Sequence, residues 1–201
     1  KLKNIKIIED AAEALGSKFE NGFAAGIKGD YGILSFNVNK IITSSGGGAL
    51  FVKNKKDKVL AEQIIKQNKT NDVLFHHSGV GYNYGMSNIS AAIGLAQLKK
   101  INSILLLKKK INQEYQRIFK FNEYIDLIDT GKFSNFWLNA IIIKKNISYL
   151  KLKNILKEIE DRGVQVRPLW YPCHKQVYLR KYEKFNLLNS NILYKKIICL
   201  P

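Results

Sequence analysis

Ser35-Phe36-Asn37-Val38-Asn39-Lys40, followed at once by Ser44-Ser45-Gly46-Gly47-Gly48, is the stretch on which the fold turns. Ahead of it, Asp30 to Asn37 reads as a strand with Tyr31, Ile33 and Leu34 apolar and Ser35 near its exit. Behind it, Ala49 to Val52 reads as a returning strand, which leaves Lys40 on a turn-rich loop between the two. Further upstream, the run Ile5 to Glu9 has the profile of a buried parallel strand and delivers Asp10 at its carboxyl end. In open α/β sheets the carboxyl ends of strands border the ligand crevice, so an acid at one such end and an amine just past another are placed for chemistry. Ala11 to Leu15 reads as a short helical turn stopped by Gly16, which sets Glu13 one turn beyond Asp10.

Outward from this region the periodicity changes. Asp57 to Lys66 fits a helix, and Gln67 to Gly85 is a polar stretch carrying His76-His77 and Gly81-Tyr82-Asn83-Tyr84. Ser87 is a candidate N-cap for a long helical pattern through Ile89, Ile93, Ala96, Ile101, Leu105, Ile111, Tyr115 and Ile118. That length predicts a helix bridging two lobes, with a bend or break around Asn102-Ser103. Beyond Asn122 the units shorten: Phe136 to Ile143 as a strand, Ser148 to Arg162 as an amphipathic helix, Val164 to Trp170 as a strand. The expected organisation is a rear part of a large α/β domain over residues 1–122 and a small α+β domain over 123–201.

Composition narrows the function class. A chain of 201 residues with 46% hydrophobic content can bury a core. The net charge of +17 invites a nucleic-acid reading, but arginine occurs only at Arg117, Arg162, Arg167 and Arg180, and the lysines are scattered, which reads as a solvated surface. The same field would attract anionic substrates such as nucleotide diphosphates. Cys173 and Cys199 lack metal-ligand spacing and are too few for a disulfide scaffold, so a reducing cytosol is expected. His76 and His77, being adjacent, point to different faces and do not suggest a metal site. No apolar run approaches a membrane span. The absence of an initial Met and the end at Leu200-Pro201 read as cuts through a longer protein.

An amine able to attack an aldehyde, paired with a carboxylate able to keep a pyridine nitrogen protonated, is what pyridoxal 5'-phosphate chemistry needs, and Lys40 with Asp10 could supply both. Taken singly, Asp10 reads as a helix cap, Lys40 as a surface lysine and the glycine run as a hairpin turn. Taken together, several motifs in order resemble the DegT/StrS-type nucleotide-sugar aminotransferases. They are Glu9-Asp10-Ala11-Ala12-Glu13-Ala14, the Ser35 to Lys40 run, Gly46-Gly47-Gly48, Gly81-Tyr82-Asn83-Tyr84 and Ala91-Ala92-Ile93-Gly94-Leu95-Ala96-Gln97-Leu98. Ser134-Asn135-Phe136-Trp137-Leu138 and Arg167-Pro168-Leu169-Trp170-Tyr171-Pro172-Cys173-His174 resemble that family's small domain, in particular members acting on 4-keto-6-deoxy UDP-sugars.

The resemblance implies an aspartate-aminotransferase-like fold and a cytoplasmic homodimer with shared active sites. It implies transfer of an amino group, from glutamate as the expected donor, to a nucleotide-linked 4-keto-6-deoxy sugar for glycan or lipopolysaccharide assembly. Lys40 matches the lysine that bonds the cofactor and moves the proton, and Asp10 the acid facing the pyridine nitrogen. Glu13 occupies the position beside the phenolic oxygen, Ser35 that of a phosphate-binding hydroxyl, and Asn83 that of a residue reaching a phosphate across the interface. Tyr82, Tyr84, Trp137 and Trp170 read as core or interface residues, and His174 either touches substrate or caps packed structure. Gly85 and Val38 depart from the family pattern, and the family's leading segment lies outside this sequence, which predicts weak cofactor retention for the chain alone. The dehydratase relatives lack the lysine, so Lys40 favours transamination. A non-catalytic regulatory or scaffolding protein of the same fold is the rival reading.

Overall fold

Strand β2 (Tyr31–Ser35) is the centre of a three-stranded sheet, between β1 (Ile8–Asp10) and β3 (Gly48–Val52). It runs parallel to β1, with Asp10 opposite Ile33, and antiparallel to β3, with Ser35 opposite Gly48. The computed structural model describes residues 5–70 and 73–201, which fall into two compact units. One takes in the chain through Lys108 together with Gly131–Trp137, and the other holds Lys109–Thr130 with Leu138–Pro201.

The first unit corrects the expectation for β1. The strand is shorter than Ile5 to Glu9, and Ile5, Ile7 and Ile8 are exposed rather than buried. The reason is its place in the sheet: β1 has β2 as its neighbour on one side and is an edge strand among the described residues. What β1 does hold firmly is a loop. Glu9 accepts the backbone N–H groups of Gly26 at 2.7 Å, Lys28 at 2.9 Å and Gly29 at 3.1 Å, the Gly26 bond being the main reason its carboxyl is held below the usual range. The loop thereby lies over β2 at Gly32, a buried position where a Cβ would collide with the Gly26 carbonyl. Only glycine permits that approach.

A depressed folded-state carboxyl stabilises the protein above the unfolded value, near 4.3, and that stabilisation is lost as pH falls through the folded value. Glu9→Gln is therefore expected to cost about 1 kcal/mol at pH 7, screening included, and progressively less below about pH 4. Urea midpoints of both proteins at pH 7 and pH 3 measure the gap. A gap that widens on acidification contradicts the assignment.

Helix α1 (Lys55–Ile65) is capped by Asn54, whose Oδ1 accepts the Lys56 N–H at 2.8 Å. Its first-turn Asp57 accepts the Tyr31 hydroxyl at 2.7 Å, which pushes the phenol upward and fastens α1 to β2. Helix α2 (Asn88–Leu98) starts where the sequence places it, with Ser87 Oγ accepting the Ser90 N–H at 3.2 Å. The expected break in the long helical pattern is present, a few residues earlier than Asn102-Ser103. α2 stops at Leu98, and α3 (Ile101–Phe119) begins after a break at Lys99–Lys100, the two being bent by 61°. Asn102-Ser103 lies just inside α3, where Ser103 Oγ donates to the Lys100 carbonyl at 2.7 Å and ties down the first turn instead of breaking it. No single helix among the described residues is long and apolar enough to cross a membrane, although this bent pair passes by length and composition.

In the second unit, β4 (Ile125–Leu127), β5 (Asn139–Ile143), β6 (Arg167–Pro168) and β7 (Ile197–Leu200) form an antiparallel sheet in the order β4-β5-β7-β6. Strand β7, unmarked in the sequence reading, sits centrally. The β6 expectation shrinks to two residues. Helix α4 (Tyr149–Asp161), capped by Ser148, lays Leu152 against Ile141, Val166 and Ile198 to make the core. A short helix α5 (Leu188–Leu193) precedes β7. The expected strand Phe136 to Ile143 begins only at Asn139, because Phe136 takes a positive φ of 51° and turns the chain.

Candidate functional site

The loop after β2 is locked from several sides. Phe36 N–H donates to the Gly47 carbonyl at 3.0 Å, and Ser44 N–H donates to the Phe36 carbonyl at 2.9 Å, so the chain from 36 to 47 closes on itself. Gly47, at φ 79°, supplies the left-handed turn that this closure needs. Ile41, Ile42 and Ser44 are buried beneath it. Gln97 of α2 reaches in to accept the Thr43 N–H at 3.0 Å. The result is a rigid platform whose one outward turn, closed by the Lys40 N–H to the Asn37 carbonyl at 3.1 Å, presents Lys40.

The Lys40 side chain is 13% exposed, and its Nζ lies 2.9 Å from Glu13 Oε1. The indole of Trp137 covers the same amine, with the ring centre 4.3 Å from Nζ. Lys40 and Glu13, two residues selected from the sequence, are thus brought into direct contact. Asp10 and Ser35 stand at the carboxyl ends of the adjacent parallel strands β1 and β2, two positions apart in register. Asp10 Oδ1 accepts the Ala12 N–H at 3.1 Å, and Asp10 is exposed. Ser35 Oγ accepts the Asn37 N–H at 3.3 Å. Asn83 lies elsewhere, in an exposed segment tied to the end of α1 by Tyr82 N–H to Ile64 O at 2.7 Å and Tyr84 N–H to Ile65 O at 3.1 Å. Among the described residues no hydrogen bond joins it to Lys40, Asp10, Glu13 or Ser35.

Two residues of this site were not selected from the sequence. Trp137 was read as core or interface and its motif was assigned to the small domain, yet residues 131–137 belong to the first unit. Asn135, buried, donates through Nδ2 to the carbonyls of Glu13 at 2.8 Å and Leu15 at 3.0 Å. The signal available in sequence was the polar-aromatic cluster Asn135-Phe136-Trp137 itself, but its distance along the chain from Lys40 hid the contact. Tyr82 and Tyr84 stack on each other at 5.0 Å. His174 Nε2 pairs with Asn191 Oδ1 at 2.9 Å, and Arg167 Nη1 with Glu160 Oε1 at 3.1 Å, both within the second unit. Among the described residues no group of three or more His, Cys, Asp or Glu is placed to hold a metal ion.

Chemically, the first unit offers a largely sheltered amine with an acid touching it, a second acid at a neighbouring strand end and a hydroxyl beside that end. This set suits a cofactor that carries an aldehyde, a basic ring nitrogen and an anionic group. Here the aldehyde would meet Lys40, the ring nitrogen Asp10, and the anion Ser35.

Comparison with known proteins identifies the family. A GDP-perosamine synthase of Escherichia coli O157:H7 is 34% identical over 190 residues, 92% of this chain and 50% of that protein. A UDP-4-amino-4,6-dideoxy-N-acetyl-beta-L-altrosamine transaminase of Campylobacter jejuni is 29% identical over 206 residues, 98% of this chain and 54% of that protein. The structure of PseC from Helicobacter pylori, an aminotransferase involved in the biosynthesis of pseudoaminic acid, superposes with a TM-score of 0.89 at 25% identity, over 98% of this chain and 54% of that one. The chain spans about half the length of the relatives it matches. The α/β fold is accordingly that of these aminotransferases, and because the family model matches residues 1–201 throughout, the chain belongs to the DegT/DnrJ/EryC1/StrS aminotransferase family.

Proposed function

We propose that the protein of which this chain is part is a pyridoxal phosphate-dependent transaminase. It would move an amino group from an amino acid, glutamate by preference, to the keto carbon of a nucleotide-linked 4-keto-6-deoxy sugar. The observation that carries this reading is Lys40: a sheltered amine on a locked loop, 2.9 Å from Glu13, beside the strand ends that bear Asp10 and Ser35. Support for the substrate class comes from the names of relatives that act on GDP- and UDP-linked amino sugars.

When bound, the cofactor supplies an electron sink that stabilises negative charge on the carbon being deprotonated. Lys40 Nζ would hold the cofactor through its aldehyde and, when free, would move the proton between the cofactor and the carbon of the bound amino acid or sugar. Glu13 Oε1 receives the Lys40 ammonium while that amine is free and is the acid nearest to share its proton. Asp10 would keep the ring nitrogen charged, since a carboxylate enclosed by a ligand needs a cation beside it. Ser35 would donate its hydroxyl to the phosphate. Asn83, apart from these residues in one copy, fits the role of reaching the phosphate of a second copy, which makes the working form a homodimer. The large-domain part would run through residue 122 and the small domain from 123. Cys173 and Cys199 are both free thiols, as a reducing cytoplasm allows.

Full-length protein loaded with pyridoxal phosphate is expected to convert GDP- or UDP-linked 4-keto-6-deoxy sugars to the amine in the presence of glutamate, with mass spectrometry reading the product. Absence of an aminated sugar from both nucleotide series, with cofactor demonstrably bound, would favour a regulatory or scaffolding role.

A further inference from the structure

We infer that Trp137 is the positioning residue for Lys40, holding both the peptide that precedes it and the amine at its end. This rests on the reading of Lys40 as the cofactor-bearing lysine. The Trp137 indole N–H donates to the carbonyl of Asn39 at 2.6 Å, which pins the peptide unit leading into Lys40. The face of the same indole lies 4.3 Å from Nζ, and an aromatic face attracts an ammonium through its quadrupole. With Glu13 Oε1 at 2.9 Å, the amine has two fixed contacts of different kinds. A lysine side chain has four rotatable bonds, and the ring and the carboxylate together confine Nζ to one region instead of many rotamers. Attack needs the neutral amine, so Nζ first gives a proton to Glu13 Oε1 or to solvent, and an amine already held at one position then attacks faster.

Trp137 is itself set by its neighbours. Asn135 N–H donates to Ser17 Oγ at 2.9 Å, its Nδ2 holds the Glu13 and Leu15 carbonyls, and its Oδ1 accepts the Trp137 N–H at 2.9 Å. The backbone that carries Glu13 and the anchor that aims Trp137 are therefore one hydrogen-bonded frame. Phe136, buried with φ 51°, makes the turn that brings the indole round. A non-glycine residue in that conformation persists where the surroundings over-determine it, and such positions cluster at functional sites. Here the determinants are the Ser134 Oγ bond to the Phe136 N–H at 3.1 Å and the Asn135 bonds on the other side.

The test is the rate at which pyridoxal phosphate attaches to the full-length apoprotein, followed by absorbance, with the attachment site read by borohydride reduction and peptide mass spectrometry. Trp137→Leu is expected to attach cofactor at Lys40 still, but about ten-fold more slowly, with far-UV circular dichroism unchanged. Trp137→Phe keeps a ring face and loses the N–H, and is expected to attach cofactor about three-fold more slowly than the parent. A parent-like rate in Trp137→Leu overturns the inference. If that variant does not fold, Trp137→Phe decides alone: a parent-like rate overturns the inference and an about three-fold loss supports it. Attachment in the parent protein at a residue other than Lys40 would instead overturn the reading on which the inference rests.

Discussion

Lys40→Arg is expected to abolish covalent attachment of pyridoxal phosphate and to lower transamination by about a thousand-fold, while leaving the protein folded. Arginine keeps the positive charge, so the pairing with Glu13 Oε1 and the contact with the Trp137 ring both survive in kind. What it lacks is a nitrogen that can lose its proton and bond a carbonyl carbon. The substitution therefore separates charge from chemistry at one position. Lys40→Ala, which removes both, is expected to match it in activity and to lose in addition the small stabilisation of an exposed-side ion pair, about 0.5 kcal/mol. Borohydride reduction followed by peptide mass spectrometry is the direct measurement. Cofactor found on any other lysine of the arginine variant, together with retained turnover, would show that Lys40 is not the chemical amine.

Leu152→Ala is expected to destabilise the second unit by about 3 kcal/mol. Leu152 is 0% exposed and touches the core made by Ile141, Val166 and Ile198, with Ile155, Leu156 and Ile159 of the same helix packed around it. Removing three carbons there leaves a cavity that α4 cannot close without breaking its Ser148 cap or its seat on β5 and β7. Urea unfolding of the whole chain, with backbone amides of β5 and β7 followed by hydrogen exchange, should show protection lost there, whereas the β1-β2-β3 sheet keeps its own. A loss under 1 kcal/mol would mean that the core around Leu152 is loosely packed.

Much of the site was legible because its signals are local. An apolar run ending at Asp10, a strand ending at Ser35 and a glycine-rich return after Lys40 are statements about neighbours in the chain, and the register of β1 against β2 places the two strand ends side by side. Ser87 and Ser148 cap their helices for the same reason: a hydroxyl three residues ahead of an orphan N–H needs no distant partner. Elements whose existence depends on partners far along the chain were not legible. Strand β7 is a four-residue apolar run of no distinct period, and it becomes the centre of a sheet only because β5 and β6 flank it. β1 was read as buried because its composition is that of a central strand, whereas its exposure follows from sheet order, which composition does not encode.

By itself, then, the chain of amino acids determined the kinds of element, the caps, the loop that bears the amine and the family, all of which follow from side-chain type at short spacing. The tertiary structure alone decided that Glu13 meets Lys40 at 2.9 Å and that Trp137, ninety-seven residues beyond Lys40, closes over it. Such contacts are set by where a rigid platform and a turned segment come together in space, and the loop-closure entropy they overcome leaves no periodic mark in a sequence.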